Sequence, residues 1–98
     1  MNDYELHQKQ WEGARAKEVL DNECWQWAFE TIEQDIYTTW KTSRSEADRE
    51  RMHQFHLMLQ KVKATLEERL ATGKLAELTL EHRKTVASNE TWQSYGQS

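Results

Sequence analysis

The chain has no proline, one cysteine and three glycines in 98 residues. Each scarcity excludes something. Without proline, and with glycine only at Gly13, Gly73 and Gly96, there is little of the turn chemistry that a sheet protein of this length needs. A lone Cys24 cannot form an intrachain disulfide, so no covalent staple supports a small core. Its solitude suits a reducing compartment. No apolar run reaches the length of a membrane span. The opening MNDYELHQKQ lacks the basic start and apolar stretch of a signal peptide, so the expectation is a cytosolic chain. No glycine-rich phosphate loop is present.

What remains is charged and aromatic. Charged residues make up 31%, mean hydropathy is −1.03, and five residues are tryptophan. Disordered chains are poor in aromatics, so the composition predicts slender helices with large anchors rather than disorder. The net charge of −4 is uneven. Residues 1–42 hold nine acids and four bases, whereas residues 43–98 hold eight acids and nine bases. Such an imbalance suits head-to-tail contact between copies, though solvated faces explain it as well.

Periodicity predicts an all-α fold. Residues 4–20 read as a first helix with Asp3 as N-cap, weakened by Gly13. Asp21-Asn22 breaks the pattern and offers a cap for a second helix from about 23. There Trp25, Phe29, Ile32, Ile36 and Trp40 form an apolar stripe. Trp27 points away from it and Tyr37 lies on its flank. After the loop Thr42-Ser43-Arg44-Ser45, the Ser45/Asp48 pair approximates a capping box and starts a third helix near 46. Met52, Phe55, Leu59, Val62 and Leu66 then alternate three and four apart, as in a coiled-coil seam. Gly73 reads as a C-terminal cap at the end of a helix of ~40 Å. Residues 75–87 read as a short fourth helix, with a strand at Leu78-Thr79-Leu80 as a weaker alternative, and 88–98 as a polar tail. The expected arrangement is an antiparallel hairpin of helices 23–42 and 46–72, stripe against seam, with the first helix across one end or side. Residues 1–87 form one domain.

The sequence carries no catalytic signature, cofactor motif or metal-ligand set. His53 and His56 sit three apart, with Glu50 one turn before His53, but no second ligand cluster accompanies them. Cys24 has no histidine neighbour and reads as a small, at least half-buried side chain. Arg44, Arg49, Arg51, Lys61 and Lys63 are the candidate nucleic-acid residues. Glu46, Asp48 and Glu50 interleave them, which leaves little basic excess.

The tryptophans carry the interaction reading. A small hairpin cannot hide all five, and tryptophan is enriched at binding hot spots. Trp27, Tyr37, Leu57, Trp92 and Tyr95 are therefore the candidate protein-binding residues. Leu57 qualifies because it points nearly opposite the seam.

The segments ARAKEVLDNE (14–23), AFETIEQDIYTTW (28–40), SRSEADRE (43–50) and ATGKLAE (71–77) place the chain beside a known group. From Ala14 to Glu77 it resembles small helical proteins of uncharacterised role that tailed bacteriophages encode near virion-assembly genes. The resemblance implies a context, the infected bacterial cytoplasm or the virion, and brings no functional residues. Together these readings predict a non-enzymatic, self-associating helical protein of phage assembly, or a minor virion component, whose partner is itself and a phage structural or host protein. The alternatives are a nucleic-acid-associated packaging or regulatory factor and a small inhibitor of a host protein.

Overall fold

The computed structural model describes residues 1–96, with side chains through Ser88. It is all-helical over the described residues: α1 spans Asp3–Leu20, α2 spans Glu23–Thr42 and α3 spans Glu46–Gly96. The starts follow local chemistry. Asn2 accepts from the Glu5 N–H at 2.8 Å and caps α1, one residue before the expected Asp3. Asn22 accepts from the Trp25 N–H at 3.1 Å and caps α2. At the head of α3 the Asp48 N–H donates to Ser45 Oγ at 3.3 Å. Each cap satisfies a backbone donor that has no intrahelical partner.

The third helix does not stop at residue 72. It contains 51 residues, about 76 Å at 1.5 Å per residue. The short fourth helix and the strand alternative are replaced by one continuous element. Gly73 has no positive φ and caps nothing. Its small size serves packing instead. A Cβ on Gly13 would lie 2.7 Å from Gly73 Cα and 2.9 Å from the Arg69 carbonyl oxygen. A Cβ on Gly73 would lie 2.7 Å from Gly13 Cα and 2.9 Å from the Lys9 carbonyl oxygen. The two backbones touch where α1 crosses α3, and only hydrogen fits between them.

Of the two expected placements, end or side, the first helix takes the side, against the C-terminal half of α3. Asp3 Oδ1 accepts from Arg83 Nη1 at 2.6 Å, Met1 O accepts from Arg83 Nη2 at 2.9 Å, and Glu12 Oε2 accepts from Arg69 Nη1 at 2.8 Å. Leu6, Ala16 and Ala76 are buried beside the glycine crossing. The second helix lies along the N-terminal half of α3. Lys63 Nζ stands 5.1 Å from the Phe29 ring centre, Gln60 Nε2 donates to Glu33 Oε2 at 2.9 Å, and the Arg49 guanidinium stacks 5.4 Å from the Trp40 ring centre.

Between α1 and α2 the chain is broken only at Asp21 and Asn22, and Gln26 Nε2 ties back to the Leu20 carbonyl at 2.9 Å. The result is a rod measuring 81 × 25 × 17 Å with a radius of gyration of 22.0 Å. A compact chain of this length would have a radius of gyration of about 13 Å.

Candidate interaction surface

Among the described residues, four apolar side chains are buried: Leu6, Ala16, Phe29 and Ala76. The expected core was larger. Of the α2 stripe, Phe29 is buried, Trp25 and Ile36 are half-buried, and Ile32 and Trp40 are exposed. Of the α3 seam, Met52, Leu59 and Leu66 are half-buried, whereas Phe55 and Val62 are 50% and 44% exposed. The physical reason is an offset. Arg49, Gln60 and Lys63 engage α2 directly, and Met52, His53 and His56 line a cleft with it. At ~100° per residue this face is turned from the one carrying Phe55 and Val62. Stripe and seam therefore meet edge to edge rather than face to face.

One face of α3 is continuous through this region. Residues 55, 59, 62, 66, 69, 73, 76, 80 and 83 follow one another in alternating steps of four and three, the 3.5-residue period of a coiled-coil seam. Its C-terminal part meets α1 through Arg69, Gly73, Ala76 and Arg83. At the junction, Leu66 lines a groove of about 280 Å³ with Trp11, Ala16 and Val19 of α1. Upstream of Leu66, α1 is absent and the seam lies open on the side away from α2. The sequence spacing shows this seam as far as residue 66. Its continuation through Gly73 was hidden because glycine there resembles a stop.

The residues singled out for binding do not gather. Trp27 is 70% exposed on the outer side of α2, and the first helix does not cover it. Tyr37 is 54% exposed and lines a cleft of about 410 Å³ with Glu33, Trp40, Met52, His53 and His56. Leu57 is exposed on α3. Trp92 and Tyr95 lie outside the residues whose side chains are described. Cys24 is exposed rather than half-buried, because it precedes Trp25 by one position and turns off the contact face. His53 and His56 share the cleft with one carboxylate, Glu33, whose Oε2 accepts from Gln60. Among the described residues no three His, Cys, Asp or Glu side chains come together as a metal site.

The basic candidates are also divided. Arg49 stacks on Trp40 and donates from Nε to the Ser43 carbonyl at 3.1 Å, and Lys63 covers Phe29. Both are thus engaged in packing α2 on α3. Arg51 lies two residues from Arg49 and so points to the other side of the helix. Arg44 and Lys61 are exposed. At the end of α1, Lys17 pairs with Asp21, and that hydrogen bond and then the Asp21 charge hold the Lys17 pKa above its ordinary value.

No described helix is long and apolar enough to cross a membrane. Comparison with protein-family models, curated proteins and solved structures finds no match to this chain.

Proposed function

We propose that the chain is a non-enzymatic helical interaction protein that works as a self-associated assembly, with the α2–α3 pair acting as an antiparallel hairpin and α1 bracing the far half of α3. One observation carries this reading: the surface left uncovered. The accessible area is 8068 Å², whereas a compact monomer of 11.7 kDa would expose about 5,900 Å². Beside this stand bulky apolar side chains on all three helices that keep about half or more of their surface exposed, among them Trp11, Ile32, Phe55 and Leu78. A monomer rarely exposes so much apolar surface, and burying it against another protein is the favourable outcome.

A role in phage assembly, or as a minor virion component, follows from the resemblance over residues 14–77. The slender rod suits such work because it presents long binding faces with little mass. Sedimentation equilibrium tests the self-association, with a mass that is a multiple of 11.7 kDa expected. A chain that stays monomeric at high concentration and binds no virion protein would sink the reading. Mass spectrometry of purified particles from a phage encoding the chain tests the context separately.

A further inference from the structure

We propose that a second copy of this chain docks along the open half of the α3 seam, seated on Ile32, Phe55, Leu59 and Val62, so that the folded unit is a two-fold dimer. This rests on the self-association proposed above and names the surface responsible.

Continuity is the first support. The same face of α3 is used in its C-terminal half, where α1 packs so closely that the Gly13 and Gly73 backbones meet. In the N-terminal half it lacks a covering helix, with Phe55 and Val62 exposed. Among the described residues α1 and α2 are both already placed against α3, so neither is left to cover this half.

Shape is the second. Ile32 is 47% exposed and lies three residues on from buried Phe29, about 60° round α2, so it forms the α2 rim of the same opening. The strip thus borders the line where α2 meets α3, the place where the ridge of a third helix can pack. The more exposed pair Leu75 and Leu78 lacks this shape. Each follows a residue of the α1 contact, Gly73 or Ala76, by two positions. They therefore stand on the side of α3 turned away from α1.

Area and chemistry select a second copy as the occupant. The excess over a compact monomer is about 2,200 Å² per chain, whereas a standard interface removes about 800 Å² from each partner and an obligate one removes more. The four seating residues are uncharged, so two identical strips can face each other across a two-fold axis without opposing like charges.

The test is sedimentation equilibrium of the whole chain beside three variants. Wild type should be a dimer. Phe55→Gln/Val62→Gln should raise the dissociation constant at least about tenfold, while Trp27→Gln and Leu75→Gln/Leu78→Gln stay within about threefold of wild type. A monomeric wild type overturns both this inference and the self-association reading. An oligomer indifferent to the Phe55/Val62 change but weakened by either of the others overturns the docking surface alone. A trimer or larger closed assembly overturns the two-fold dimer. A second measurement does not depend on the double variant folding. Benzophenone is attached to Cys24→Ser/Met58→Cys, and labelled and unlabelled chains are mixed. Cross-links between labelled and unlabelled chains should fall within 28–36 or 51–66. Cross-links confined to one chain, or falling elsewhere, overturn the proposal.

Discussion

Glycine shows most clearly how context reverses a residue's meaning. Helix propensity alone makes Gly13→Ala stabilising by about 1 kcal/mol. The crossing with Gly73 reverses the sign, because the added methyl meets backbone at 2.7 Å and backbone cannot rotate away. Overpacking of this kind typically costs about 1–3 kcal/mol. Gly13→Ala and Gly73→Ala should therefore each lower the melting temperature measured by circular dichroism. A rise for either would mean that α1 does not cross α3 there. Phe29 and Trp27, two residues apart, form a complementary pair. Phe29→Ala should cost about 3 kcal/mol, since Phe29 is the buried anchor of α2, whereas Trp27→Gln should stay within about 0.5 kcal/mol. Lys17 offers a titration test. Its pKa is raised, so the favourable pairing with Asp21 is complete below the ordinary lysine value of 10.5 and is lost as pH rises through the raised one. Carbon NMR of the Lys17 side chain should show the elevated midpoint, and Asp21→Asn should return it toward the ordinary value.

At the scale of the element, ends and interiors were not equally legible. The α2 stripe and the break before it could be read because Asn22 and the apolar spacing agree. Asn22→Ala removes the acceptor for the Trp25 N–H and should cost about 1 kcal/mol in chemical denaturation. A negligible change would show that the Gln26 bond to the Leu20 carbonyl holds the junction alone. The end of α3 misled for a physical reason. A glycine after a run of apolar positions suits both a left-handed cap and a close helix crossing, and only the neighbour distinguishes them. Since residues 74–88 hold neither proline nor glycine, nothing local stops the helix once Gly73 stays helical.

At the scale of the whole molecule, the consequence is length. Small-angle scattering should give a maximum dimension of at least about 80 Å, in keeping with the 81 Å long axis, whether the rod stands alone or paired. A globular profile would mean that α3 folds back on itself. Length also separates two surroundings along the α3 seam: backbone contact with α1 closes its C-terminal part, and Phe55 and Val62 stay exposed in its N-terminal part. The basic residues are split by the same geometry, with Arg49 and Lys63 drawn into packing and Arg44, Arg51 and Lys61 left apart.

The sequence by itself determined the helical class, the two breaks and the apolar stripes, because these depend on caps, proline's absence and spacing within a few turns. It also marked Trp27 as lying off the stripe, which its exposure agrees with. Only the tertiary structure decided which side of each stripe is covered. That choice depends on a rotation of tens of degrees between α2 and α3, and no local spacing encodes it. The same holds for Gly13 and Gly73, which lie sixty residues apart. Each is an ordinary helix-weakening residue until the other's backbone stands against it.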